Sequence, residues 1–471
     1  MPSRVPVEWH AATNWNRRLS AVRKEDEEVA MIQSGADFPV VDYAAHPAFR
    51  GFAAAPAAKD AAVEQAVGKA DAALEEIYAS PTALPVAGIE DHYRQNVRPN
   101  LDEIRRLCLD QLPNGSLLGK VVGDALEETH QDLLRALCYQ NEKKRYRPAN
   151  RVAGVAEQVA ADLSEKGISL HRIPDQTIRA ILDDVEPLRE RLLELSTRNE
   201  GDRCSLALPP SGRYWKELGS YLDRCGILAG CSHSRREPLE LNQCGLILSH
   251  DQEQWWRDCY KDVGTATSRT TYMHNDKDFD YMKVLVYLSE VDEAKGPFAF
   301  IPGSHKWRRS RTQSFLFKAL DYAFNSNLTP REPSRTVYYR KAFRHAEFRE
   351  QFMMLPRALR GSSHFGDDIL DGSDVSQRLL AQEMSITTDV ANCMAFTGAD
   401  GIHRGGCVTE GRRWCLQLFL KMTPPVHRRI ERSAKAAYSL TRSKLRGAVR
   451  HVLRDRGIQA ARSLVHRVTG Q

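Results

Sequence analysis

His274-Asn275-Asp276, with His403 far downstream, constrains this chain more than any other feature. Residues i and i+2 of an extended strand point to the same face. An extended segment here therefore presents an imidazole nitrogen and a carboxylate oxygen to one point in space. His403 would complete a face of two histidines and one carboxylate. Such a face leaves coordination positions open and suits a non-haem Fe(II) centre. The fold must then bring two distant segments together.

An isolated H-x-D recurs by chance, so the flanking sequence carries weight. Met282-Lys283-Val284-Leu285-Val286-Tyr287-Leu288 is rich in strand formers. Gly296 to Lys306 reads as a turn, a short strand and another turn. Val390 to Phe396 and Leu416 to Leu420 read as strands on either side of a glycine-rich stretch, Gly398 to Gly406. Two other histidines compete for the third ligand position. His364 lies in a segment of irregular pattern, whereas His403 lies between two readable strands. His305 follows Pro-Gly-Ser, a turn setting in which a structural hydrogen bond is expected.

The ordered set of H-x-D, "GPFAFIPGSHK", "H-x-G-G" and "T-E-G-R-R" resembles the phytanoyl-CoA dioxygenase family of Fe(II)- and 2-oxoglutarate-dependent oxygenases. The resemblance covers roughly residues 155 to 425 and is strongest at the motifs. It implies an α+β fold with a double-stranded β-helix core, jelly-roll or cupin-like, and flanking helices. It implies that His274, Asp276 and His403 hold iron, and that Arg413 binds the C5 carboxylate of 2-oxoglutarate. A guanidinium suits that task because its parallel donors match a carboxylate and its charge is permanent. Arg412 is the competing position, and a surface salt bridge is the alternative role for Arg413. Asn275, Tyr287 and Thr409 are further candidates for cosubstrate contact. The cofactors implied are Fe(II), 2-oxoglutarate and O2, with release of succinate and CO2. Hydroxylation of a small-molecule, lipid- or sugar-derived metabolite is the expected reaction; desaturation, epoxidation or ring formation could use the same ligands. Asp276 argues against the related halogenases, in which a small residue vacates the carboxylate position.

At 471 residues and 42% hydrophobic content the chain can bury a large core. Helical spacing is expected over Ala57 to Tyr78, Leu101 to Leu109 and Leu117 to Tyr139. Residues 1–150 therefore read as a mainly helical extension, 151–425 as the oxygenase domain with an insertion or lid at 306–380, and 426–471 as a basic tail. Val155 to Leu195 reads as two helices around Gly167-Ile168-Ser169-Leu170-His171. Between Lys306 and Phe365 stand 13 Lys/Arg against 4 Asp/Glu. One reading is a lid that draws in an anionic substrate; the other is a solvated helical excursion.

The net charge of +6 is uneven, because His427 to Gln471 holds 12 Lys/Arg against 2 Asp/Glu, which leaves the remainder at −4. Ile430, Ala434, Ala437, Thr441, Leu445, Ala448 and Val452 recur at helical spacing in that tail. It reads as a helix packed on its own domain, with peripheral membrane contact through 427–471 or a nucleic-acid arm as alternatives. No nucleic-acid partner is expected, and the oligomeric state is open. The ten cysteines form no C-x-x-C pair, and reduced thiols in the cytoplasm are expected. Two readings of a different class remain: a noncatalytic metal- or ligand-binding module, and a membrane or nucleic-acid adaptor acting through the tail.

Overall fold

The computed structural model describes residues 38, 43–45, 47–110, 112–146, 152–198, 204–210, 212–250, 273–328, 346–361, 363–365, 378–379, 381–406 and 408–422. The basic tail, most of residues 1–50 and residues 329–345 and 366–377 of the insertion lie outside this set. Among the described residues no helix is long and apolar enough to cross a membrane.

The first helices follow the apolar spacing. Helix α1 (Ala57–Ala79) buries Val63, Ala66, Val67, Ala70, Ala73, Leu74 and Ile77, a stripe at three- and four-residue intervals. Helices α2 (Val86–His92) and α3 (Arg98–Leu109) follow. Ser116 then starts α4 (Leu117–Lys143), its hydroxyl accepting the Gly119 N–H at 3.0 Å. The long α4 places Leu118, Val121, Val122, Ala125, Leu126, Leu133 and Leu137 on its buried face.

Next come α5 (Val155–Glu165), β1 (Ile168–His171), α6 (Asp175–Arg198), β2 (Cys204–Leu208), α7 (Arg213–Arg224) and α8 (Ile227–Arg235). Within the Gly167–His171 stretch, expected to join two helices, Ile168–His171 is a strand and pairs antiparallel with residues 393–396. The remaining strands are β3 (Leu239–His250), β4 (Met273–His274), β5 (Tyr281–Tyr287), β6 (Phe298–Phe300), β7 (His364–Phe365), β8 (Met384–Ile386), β9 (Cys393–Phe396), β10 (His403–Gly405) and β11 (Arg412–Met422). Two helices, α9 (Arg311–Leu328) and α10 (Ala346–Met353), lie between β6 and β7.

The strands make two sheets. One has six strands in the order β1-β9-β5-β11-β3-β2, and the other five in the order β7-β4-β10-β6-β8. Strand alternation explains how they stack. On β5, Leu285 and Tyr287 join Phe298 and Phe300 of β6, Ile386 of β8 and Phe396 of β9 in an apolar cluster drawn from both sheets. The sheets therefore face one another across it. The alternate residues Met282, Val284 and Val286 look outward, where α5 to α8 cover the six-stranded sheet through Val159, Ile181, Leu218 and Ile227. On the five-stranded sheet, Met273, Ala299, Ile301 and Ile402 look outward into a third cluster with α1, α3, α4, α9 and α10. The order of layers is thus helices, sheet, sheet, helices.

This layering shows what the described helices flanking the sheets do. Helix α9 is not a solvated excursion: Leu316, Ala319, Leu320 and Ala323 are buried in the same cluster as the α1 and α4 stripes. Burying one large apolar side chain contributes about 1.5–3 kcal/mol, so this cluster is a main source of stability for the five-stranded sheet. A polar clasp holds the opposite side. Asn392 accepts the Ile173 N–H at 2.7 Å and donates to the Ile173 carbonyl at 2.9 Å, which pins the chain after β1 to the start of β9.

Candidate metal centre

His274 ends β4 and His403 begins β10, and the two are direct partners in the antiparallel ladder. Each has apolar neighbours in sequence that face outward, Met273 and Ile402, so the histidines face the space between the sheets. Their ring centroids lie 4.5 Å apart. Asp276 follows two residues beyond the end of β4, where its N–H donates to the Gly398 carbonyl at 2.8 Å. Its carboxylate lies 4.0 Å from His274 Nε2 and 3.6 Å from His403 Nε2. Ligand atoms of all three residues fall within 4.8 Å of one another. Among the described residues this is the group of three His, Cys, Asp or Glu side chains so arranged.

The surroundings prepare these groups for a cation. His403 is 3% exposed and packs against Phe298 and Phe396. Its Nδ1 lies 3.1 Å from the Gly401 carbonyl. A proton on that nitrogen leaves Nε2 with a lone pair for a metal. Burial opposes charge on Asp276, but the Lys283 ammonium and the two imidazoles outweigh it and hold the carboxyl well below the usual carboxylate range. Bonds of about 2.1 Å at right angles to a common ion would put ligand atoms about 3 Å apart. From separations of 3.6 and 4.0 Å, and none above 4.8 Å, the triad would close by about 1–2 Å on binding, within reach of side-chain rotation.

Two residues that shape this site escaped sequence reasoning. Lys283 on β5 sends its ammonium to the carboxylate, 2.7 Å from Oδ1 and 2.6 Å from Oδ2 of Asp276. The available signal was a lone lysine on the inward face of an apolar strand, which demands a counter-ion. Gly398 is the other. A Cβ there would lie 1.8 Å from Asp276 Oδ2 and 3.4 Å from His403 Cε1, so only glycine leaves room for the carboxylate.

The loop from Thr397 to Asp400 is braced from outside. Asn275 donates through Nδ2 to the Asp400 carbonyl at 3.1 Å, and its N–H donates to the Ser363 carbonyl at 3.0 Å. Lys318 of α9 donates to the Ala399 carbonyl at 3.0 Å, and Arg309 pairs with the Asp400 carboxylate at 2.8 Å. Burial and the nearby Arg309 push the Lys318 ammonium down to about 7. Asn275 thus ties the strand end to the loop.

Arg413 is 7% exposed and shares the inward face of β11 with Cys415. Its guanidinium donates to the Gly406 carbonyl at 3.0 Å and to the Ser249 hydroxyl at 3.2 Å. No carboxylate pairs with it among the described residues. A buried guanidinium in that state suits an incoming anion. Arg412 is exposed at the strand start. The Tyr287 hydroxyl is fully engaged, donating to the Ile386 carbonyl at 2.8 Å and accepting the Phe298 N–H at 2.7 Å. Thr409 sits on an exposed turn and donates to the Ala294 carbonyl at 3.0 Å. His305 lies 3.1 Å through Nε2 from the Ser164 carbonyl, the structural role its turn suggested. His364 stands opposite His274 in the β4–β7 ladder.

No family model matches the sequence, and no curated protein matches it. Solved structures similar to the chain include 2-oxoglutarate-dependent enzymes. The SnoK carbocyclase of nogalamycin biosynthesis is 13% identical, over 58% of this chain and 87% of its own, with a TM-score of 0.32. A prolyl-4-hydroxylase from Pseudomonas putida is 11% identical, over 57% of this chain and 100% of its own, with a TM-score of 0.28. HygX from Streptomyces hygroscopicus, solved with nickel and 2-oxoglutarate, is 14% identical, over 58% of this chain and 88% of its own, with a TM-score of 0.29.

Proposed function

We propose that the chain is an Fe(II)- and 2-oxoglutarate-dependent oxygenase of the phytanoyl-CoA dioxygenase type, acting on a small molecule. The two facing sheets are then the double-stranded β-helix of that family. The observation that carries this reading is the convergence of His274, Asp276 and His403 within 4.8 Å between the sheets.

In this reading His274, His403 and Asp276 would hold the iron. Iron with 2-oxoglutarate and O2 supplies the oxidation of an unactivated C–H bond; the protein supplies geometry and exclusion of water. His403 is held in its binding tautomer by the Gly401 carbonyl. Arg413 receives the distal carboxylate of the cosubstrate, exchanging a carbonyl partner for a charged one. Lys283 keeps the Asp276 carboxylate ionised and holds it in place before the metal arrives. Hydroxylation is the favoured outcome for a lipid- or sugar-derived metabolite. The cytoplasm, with its reduced thiols and Fe(II), is the proposed compartment.

The test is anaerobic binding of Fe(II) and 2-oxoglutarate, followed by a metabolite screen for oxygen-dependent succinate release. His274→Ala, Asp276→Ala and His403→Ala are each expected to abolish metal binding while the protein stays folded. Stoichiometric Fe(II) in any of them removes that residue from the ligand set. The Lys283 pairing favours one other reading, a noncatalytic module in which the ammonium permanently occupies the cation position. Failure of the wild-type chain to bind Fe(II) would select it.

A further inference from the structure

A cleft of about 780 Å³ shares the 397–400 loop with the candidate metal centre. Thr397 and Asp400 line it, none of the triad does, and Gly398 between them touches Asp276. The other walls come from the end of α4, from α5, from the end of α8 and from the turn after β6.

The charges around this cleft do not balance. Lys143, Arg235, Arg236 and Lys306 line it, against the carboxylates of Glu157 and Asp400. Arg235 is already taken by buried Glu237, 2.9 Å away, and Asp400 by Arg309. That leaves Lys143, Arg236 and Lys306 with Glu157 as the remaining carboxylate of the lining. None of the three cations has a carboxylate within 4.0 Å among the described residues. Burial and the neighbouring Arg235 push the Lys143 ammonium down to about 8, as expected of a cation short of counter-charge.

Two further features mark the lining, and the second of them bears on a ligand. His233 Nδ1 and Thr397 Oγ1 belong to residues that line the cleft, and both atoms are buried with no hydrogen-bond partner. Both atoms lie beneath the cleft wall and are closed to a ligand in this arrangement of side chains, so the ligand contacts rest on the cations. Arg236 is also the one described non-glycine residue with positive φ, at 52°. It occupies the left-handed position after α8 that favours glycine, and there it sets a third cation at the rim of the cleft.

We propose that this cleft is a binding site for a phosphate-bearing small molecule, held by Lys143, Arg236 and Lys306. Phosphate fits better than a carboxylate because it carries more acceptor oxygens and more charge for donors spread around a wall. The volume lies within the range of about 300–1,000 Å³ typical of small-molecule sites, so the phosphate is part of a larger molecule. The site stands whether or not the triad holds iron.

The test is calorimetric titration of the full chain with inorganic pyrophosphate, against sodium chloride at matched ionic strength. Saturable one-to-one binding is expected. Lys143→Met, and Arg236→Gln combined with Lys306→Gln, should each weaken it by at least about tenfold. His403→Ala should leave it unchanged, which separates this site from the metal centre. The double variant changes two exposed residues, so it keeps the test informative if Lys143→Met misfolds. No saturable heat beyond the chloride control, full binding by the double variant, or tighter binding of citrate than of pyrophosphate would each overturn the proposal.

Discussion

Gly398→Ala is the sharpest perturbation of the candidate centre, because it adds one methyl group and removes nothing. The new Cβ would start 1.8 Å from Asp276 Oδ2 and 2.9 Å from its Cγ, whereas real Cβ contacts stay above 3.0 Å. The carboxylate must therefore retreat by about 1.2 Å. It does so against resistance, since the Lys283 ammonium donates to Oδ1 and lies 2.6 Å from Oδ2, and the Asp276 N–H is tied to the carbonyl of the mutated residue itself. Metal–ligand bond lengths vary by only about 0.2 Å, so the carboxylate would have to come back to the ion against the new methyl group. Losing one of three protein ligands should lower Co(II) or Fe(II) affinity by at least about 100-fold, beyond the usual cost of disturbing outer partners. Overpacking should cost stability only about 1–3 kcal/mol. Anaerobic titration with Co(II), followed by visible absorption, reads the first quantity, and urea unfolding reads the second. Gly405→Ala is the control, because its added Cβ meets Arg413 at an ordinary 3.5 Å. A folded Gly398→Ala protein that binds Co(II) within twofold of wild type would refute the placement of Asp276 as a ligand.

Lys283→Met strands a buried carboxylate, so the metal-free protein should lose about 3–5 kcal/mol, and Co(II) should raise its melting temperature more than that of wild type; equal urea midpoints for the two metal-free proteins would discredit the pairing. Arg413→Ala should weaken 2-oxoglutarate binding by about 1.5–3 kcal/mol, roughly tenfold to a hundredfold, with little change in Fe(II) affinity. The same pattern in Arg412→Ala and not in Arg413→Ala would shift the assignment by one residue. Lys318 holds its proton less tightly folded, near 7, than at its ordinary 10.5, so the unfolded chain binds more protons between those values and stability from this group rises with pH across that window. The stability difference between wild type and Lys318→Met should therefore move in favour of wild type by up to ~1.4 kcal/mol per pH unit. A difference independent of pH from 7 to 9 would show that Lys318 stays charged.

The parts of this molecule that were legible in the sequence are those set by local periodicity. His274 and Asp276 stand two apart, so the pleat anticipates their common direction, although Asp276 lies past the strand end and is held by the Gly398 carbonyl and Lys283. The stripes of α1 and α4 are equally local, and both helices lie where their spacing put them. What those stripes cover was not legible, because Met273, Ala299 and Ile402 are far away in sequence and meet them only after folding. Tyr287 and Thr409 stand in the sequence as candidates for cosubstrate contact, and the sequence does not reveal that their hydroxyls bond carbonyls 99 and 115 residues away. Ile168–His171 looked like a connector because four half-polar residues carry little signal; only its ladder with β9 makes it a strand. Lys283 was visible as an anomaly in an apolar run, and its partner lies seven residues back, around a turn.

The cross-strand pairing of His403 with His274 divides the ligand set into two mechanical classes. The histidines belong to the hydrogen-bonded ladder, and their separation is as durable as the spacing of adjacent strands, about 4.7–4.9 Å. Asp276 stands past the end of that ladder, and its position depends on one loop carbonyl and one ammonium. A fluctuation that opens residues 397–400 would withdraw the carboxylate and leave both imidazoles where they were. In the proposed metal-bound protein, release of metal and loss of the fold would be separate events, with the first expected at lower temperature. Variation in that loop can retune how tightly metal is held without disturbing the sheet that positions it.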